Sequence, residues 1–450
     1  MYLSIFDVAT TIFSIILLII ILTAIISTYK SNKAINAFII ASGFYLLVYG
    51  IVPAFFVFNK GIPNKFNSIF GTHTQYSIIL FSILCYLIFW LSYVVARRLK
   101  IAPSKGKSRS FKVTIKSIEG IAWFTFLLGL LGFIIEINMY GGLWQSFNNI
   151  EIVRGFKETE IEDGINNPLV FFRLFKFFII FSFYIFYVLK NTTNKLLYKI
   201  MFFLTLTQSL YILFLNGGRT HIFIFIGTLI LADAFIKTKK KNAKRLFLLI
   251  FGIFIALFSL IILDPLFSYL TYGGSISYDQ VSLARLLAQF SFPYSNLGFV
   301  LNNEFDFRFF KDTYLWVISL LPAFILSRIG FVQTSPLYEY NTLLQNGTML
   351  FGGIPSDILT WGFFQLGIVG CFLVIAIFGF ILGKVDNIIE VYNNNILLAP
   401  IIIRIAFYIG MMVMYADLES LFRVRYDVVL LILFLVVLKN SKISLLKPHY

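Results

Sequence analysis

The chain predicts an all-α polytopic membrane protein with about eleven transmembrane helices, and three observations carry that prediction. Of its 450 residues, 59% are hydrophobic and 13% are charged, whereas a soluble domain carries about 25% charged residues. Apolar runs close to the ~20 residues that cross a hydrocarbon core recur along its length. The net charge of +16 is gathered in alternate loops, the pattern that membrane topology imposes. The basic balance therefore argues for a lipid bilayer and against a nucleic-acid partner.

Taken in order, the predicted spans are 5–29, 34–58, 76–96, 118–139, 169–189, 196–215, 220–236, 246–263, 361–383, 396–416 and 426–438. The first run lacks a basic flank and a small-residue cleavage site, so a cleavable signal peptide is not expected. The loops 97–116 and 237–245 are strongly basic and are assigned to the cytoplasm. Four spans separate them, which agrees with a shared side. The amino terminus is then outside, and the carboxyl terminus with its basic tail is cytoplasmic. Three parts follow: 1–263 with eight helices, a large periplasmic segment over 264–360 with short interfacial helices, and 361–450 with three helices and the tail. Long loops are usually functional. Within this one, 314–325 is apolar but too short to cross and contains Pro322, which suits an interfacial or re-entrant helix.

Basic side chains expected inside are mostly lysines. Those expected outside are mostly arginines: Arg154, Arg173, Arg219, Arg285, Arg308, Arg328, Arg423 and Arg425. Topology alone gives no reason for arginine outside. Its planar fork binds phosphate oxygens bidentately, whereas lysine acts as a point charge. An anionic, phosphorylated ligand is the implied partner.

The sharpest constellation is Asn216-Gly217-Gly218-Arg219-Thr220-His221, expected as a turn at the outer mouth of the span 220–236. A helix amino terminus offers free N–H groups and favours anions, and Arg219 adds a full charge. His221, just inside, is the candidate general base. The plainer alternative has Arg219 reaching to headgroups and His221 simply packed. Arg173 and Lys176 share a helical face near the outer end of 169–189 and are candidate anion ligands, with an interfacial anchor as the plainer alternative. Arg285, Arg328, Arg423 and Arg425 join them, and Arg285, Arg308 and Arg328 have Asp279, Asp306, Asp312 and Glu339 as potential partners in surface pairs. Asp357 precedes the span 361–383 and suits either a helix cap or an acid or base. Arg404, inside the tenth span, is expected to form a structural pair. Cys85 and Cys371 lie in apolar runs, so neither a disulfide nor a thiolate metal site is expected. Phosphate-loop, zinc-ligand and GxSxG patterns are missing, and the chain has three histidines. No cofactor or metal is predicted.

Three features resemble a known family, the bacterial O-antigen polymerases of the Wzy type. They are the turn GGRTHIF, the outer segment ending in GGIPS and followed by WGFFQLGIVGCFL, and the arginine-bearing stretch LESLFRVRYD before the last span. The resemblance implies a GT-C-like membrane glycosyltransferase. It would use undecaprenyl-diphosphate-linked oligosaccharides as donor and acceptor, with a chain-length regulator as a further partner. The resemblance also implies arginines on the leaving diphosphate and His221 or a carboxylate on the acceptor proton. An O-antigen ligase, transferring the glycan to lipid A-core, and a lipid-linked oligosaccharide flippase or transporter are the alternatives.

Overall fold

Strands are missing and helices dominate among the residues that the computed structural model describes, which are 5–32, 36–58, 73–99, 114–148, 168–237, 287–288, 290–319, 321, 323–330, 337–347, 354–392, 395–416 and 425–440. The predicted span 246–263, Arg285, Arg423 and the side chain of Arg219 lie outside the described residues.

The helices are α1 (Ile5–Asn32), α2 (Ala37–Leu46), α3 (Val52–Phe58), α4 (His73–Arg98), α5 (Ile115–Met139) and α6 (Leu143–Asn148). They continue with α7 (Phe178–Thr193), α8 (Leu196–Lys237), α9 (Phe292–Asn302), α10 (Lys311–Ser319) and α11 (Ala323–Arg328). The last are α12 (Leu337–Asn346), α13 (Ile358–Glu390), α14 (Ala399–Met411) and α15 (Tyr426–Asn440). Among the described residues, seven helices are long and apolar enough to cross a membrane. Ile12, Ile19, Phe124, Leu127, Phe203 and Val369 stand exposed on them, as lipid-facing side chains do. The protein is embedded in a membrane.

Four departures from straight helix organise the bundle. Pro53 has no N–H and its ring crowds the preceding turn, and just before it Leu47–Ile51 widens into a π-helical turn between α2 and α3. Such turns gather at functional sites, and this one presents Tyr49.

The second departure is in α8, which is helical over 42 residues. Phe202 and Phe225 both pack on Phe183, with ring centroids 5.2 and 4.9 Å away. In a straight helix they would stand about 34 Å apart. The chain must therefore reverse between them, giving two limbs, and the predicted 196–215 and 220–236 correspond to those limbs.

The third departure is in α13, where Leu366 and Gly367 leave helical geometry, Gly367 at φ 63°. A Cβ on Gly362 would come within 2.7 Å of the Cys371 Cα, although nine residues of straight helix span about 13 Å. The first limb, 358–365, is thus folded back on the second, glycine against glycine. Its exposed carboxyl-terminal carbonyls, Phe364 and Gln365, accept from the backbone N–H groups of Arg308 and Phe309 at 2.8 and 3.2 Å.

The fourth departure is a break inside the bundle. α14 ends at Met411, and 412–416 runs beside 356–358, with Ile358 N–H to Val413 O at 3.1 Å and Ala416 N–H to Ser356 O at 2.8 Å. An amide lattice holds this crossing from the side. Asn296 and Asn341 donate to Pro355 O and Ile354 O at 2.8 and 3.1 Å, and Gln345 donates to both asparagines. Helices of the predicted 264–360 segment therefore position the broken helices at the centre of the bundle.

Candidate functional site

Close packing brings the first charged group inside. Gly129 and Gly132 of α5 let the backbone of 168–179 approach so nearly that a Cβ on Gly132 would lie 2.5 Å from Lys176 N. The ten residues Pro168–Phe177 wind as a 3-10 helix, in which side chains three apart eclipse. Arg173 and Lys176 therefore stand in one row, and both are buried. Lys176 Nζ pairs with Glu136, itself buried on α5.

The second group forms where α15 begins. Asp427 accepts from Arg404 Nη2 at 3.0 Å and from Nε at 3.3 Å, and both residues are fully buried. Arg425, two residues earlier, is 1% exposed. Its guanidinium lies 5.7 Å from the Phe177 ring centroid, which links it to the row of Arg173 and Lys176. The Nε and Nη1 of Arg425, Nη1 of Arg404 and Oδ1 of Asp427 have no hydrogen-bond partner among the described residues. His221 stacks on Tyr408 at 6.3 Å and feels the charges of Arg425 and Arg404. Its Nδ1 is likewise buried and unpartnered among the described residues. Tyr184 of α7 lies within reach of Arg404 and Asp427.

The two arginines and one carboxylate carry a net positive charge in an apolar bundle. A guanidinium buried without acceptors is costly, and an anion placed among these nitrogens would satisfy them. An anion with several acceptor oxygens, such as a phosphate, is the class of ligand that guanidinium nitrogens bind.

A third polar group sits apart. Asp357 caps the first limb of α13, its Oδ1 accepting from Leu359 N and Thr360 N at 3.0 Å each and from the Tyr49 hydroxyl at 2.5 Å. It is fully buried, beside Tyr45, Cys85 and Cys371.

Of the predicted site residues, Arg173, Lys176, Arg425 and His221 are brought toward one region between α7, α8, α14 and α15. Arg425 is expected among the outward arginines. It is instead inside the bundle, and its neighbour Asp427 pairs with Arg404 across α14. Arg328 is exposed on α11, which packs against the Pro168–Phe177 turn. Arg308 is engaged by Asp312 at 3.7 Å and lies 4.5 Å from the Tyr340 ring centroid. Burial pushes the Tyr340 hydroxyl above its ordinary range, with Arg308 opposing. Asp357 lies in a different part of the bundle and realises the capping role. Sequence reasoning missed Glu136 and Asp427 as partners of buried cations. A lone acid in the apolar run of α5 was the available signal.

Cys85 and Cys371 are buried free thiols. The chain matches no protein-family model, no curated protein and no solved structure.

Proposed function

We propose that this protein is a membrane glycosyltransferase that polymerises undecaprenyl-diphosphate-linked oligosaccharide repeat units on the periplasmic face of the bacterial inner membrane. The observation that supports the reading is the pair of nitrogens on buried Arg425 without a partner among the described residues, beside Arg404 and His221. In this mechanism a sugar hydroxyl of the acceptor unit attacks the anomeric carbon of the donor chain. The new glycosidic C–O bond forms as the bond to the diphosphate breaks, and undecaprenyl diphosphate leaves with the electron pair. Arg425 and Arg404 stabilise the negative charge that develops on it, with Arg173 and Arg219 as further ligands. The hydroxyl proton passes to His221 Nδ1. The loose resemblance of GGRTHIF, GGIPS and LESLFRVRYD to O-antigen polymerases names the substrate class.

One observation favours a second reading. Charges at Arg404, Arg425 and Asp427 lie inside the bundle, among helices broken within it, as in many transporters. A lipid-linked oligosaccharide flippase uses the same anionic ligand.

The test is complementation of a deletion strain with Arg425→Lys and Arg425→Ala, reading the surface polysaccharide ladder and the amount of protein in the membrane. Polymerisation predicts loss of long chains with single repeat units retained, at normal protein level, by at least about tenfold for a charge-bonded ligand. Loss of every surface unit supports the flippase or a ligase. An unchanged ladder from both variants removes Arg425 from the site.

A further inference from the structure

The Asp357 group asks for something other than an anion. Three other buried carboxylates in this bundle, Asp427, Glu136 and Asp386, are balanced. Asp427 faces Arg404 and Glu136 faces Lys176. Asp386 receives Ala37 N on Oδ1 at 2.7 Å and Phe38 N on Oδ2 at 3.3 Å, with Arg97 close by. Asp357 is as deeply buried, yet no described lysine or arginine pairs with it. The titratable groups that face it are Tyr49 and Tyr45 from the α2 side, Cys85 of α4 and Cys371 of the second α13 limb. None of these carries positive charge.

Its two oxygens are unequal. Oδ1 takes three donors, whereas Oδ2 has no partner among the described residues. Two hydroxyl oxygens from the same turn flank it: Ser356 Oγ is buried and unpartnered among the described residues, and the buried Thr360 hydroxyl is within hydrogen-bonding reach of the carboxylate. A carboxylate oxygen and two hydroxyls are hard oxygen donors of the kind that hold small hard cations. An uncompensated carboxylate in an apolar interior binds a proton or a cation, because leaving it bare costs several kcal/mol.

We propose that Asp357 Oδ2, with Ser356 and Thr360, forms a buried site for a small monovalent cation, H+ or Na+, separate from the arginine cluster. Binding there neutralises Asp357 at the point where the first limb of α13, the π-turn of α2 and the 412–416 crossing meet. This proposal does not depend on the glycosyltransferase reading.

The full chain in lipid nanodiscs tests it, with the unfolding midpoint followed by tryptophan fluorescence in NaCl against choline chloride at constant ionic strength, from pH 5.5 to 8.5. The wild type is expected to gain a saturable upward shift of about 3 °C or more, and Asp357→Asn to lose it. Thr360→Val, which keeps the carboxylate, is expected to raise the half-saturating concentration on the order of tenfold, and it serves alone if Asp357→Asn fails to fold. Asp386→Asn is the control for the sodium response and keeps it. A sodium response lost in Asp357→Asn identifies Na+. A pH response without a sodium response, lost in the same variant, identifies the proton. No response to either, or a response that survives both Asp357→Asn and Thr360→Val, overturns the site.

Discussion

Arg404 and Asp427 show how a single residue's environment decides its worth. Two full charges with no solvent contact gain attraction in low dielectric but lose their hydration, so the pair itself contributes little net stability. Losing one member is different, because it strands the other. Asp427→Leu is therefore expected to destabilise the protein by about 3–5 kcal/mol. The double variant Arg404→Met/Asp427→Leu should recover most of that, as read by thermal unfolding in nanodiscs. Recovery of stability without recovery of polysaccharide would separate the scaffold role of Asp427 from the ligand role of Arg404. Tyr49 is a gentler case. Tyr49→Phe removes one donor from Asp357 Oδ1 but leaves two backbone N–H groups there, so a loss of about 1–3 kcal/mol is expected.

At the scale of the element, the fold-back of α13 depends on glycine for two separate reasons. Gly367 holds a positive φ that a Cβ disfavours, so Gly367→Ala is expected to cost about 1–3 kcal/mol. Gly362 and Gly370 are limited by space, since a Cβ on Gly370 would come within 2.1 Å of the Gly362 carbonyl oxygen. Gly370→Val is expected to prevent the hairpin from closing, with loss of folded protein from the membrane as the readout. If Gly370→Val accumulated normally and Gly367→Ala did not, the turn conformation rather than the glycine crossing would control the element. The same logic separates α8 from an ordinary long helix. Its 42 residues exceed a single span, and contacts of both limbs with α7, at Phe183, Tyr184 and Tyr187, show that the second limb returns.

For the whole molecule, orientation is the prediction that topology mapping checks. With Cys85 and Cys371 replaced, single cysteines at Ser104 and Asn242 are expected to react with an impermeant maleimide only after the inner membrane is opened. Labelling of both in intact spheroplasts would invert the assignment and move the arginine-rich loops to the cytoplasm.

Hydropathy by itself determined that this chain lives in a bilayer, and the predicted 5–29, 118–139 and 196–215 differ by a few residues at most from the observed helices. The cost of exposing backbone polar groups to lipid leaves a long apolar segment no other structure. Residue type also singled out Arg173, Lys176 and Arg425 as candidate anion ligands and His221 as a candidate base. What the sequence could not convey is which charges meet. Asp427 closes the stretch LESLFRVRYD before the last span, but its partner is Arg404 on another helix. Asp357 was read at the mouth of a span, yet the reversal at Gly367 carries it inside the bundle. Pairing and depth depend on where helices break and fold back, and those breaks are stabilised by contacts between residues far apart in the chain. Only the tertiary structure supplies them.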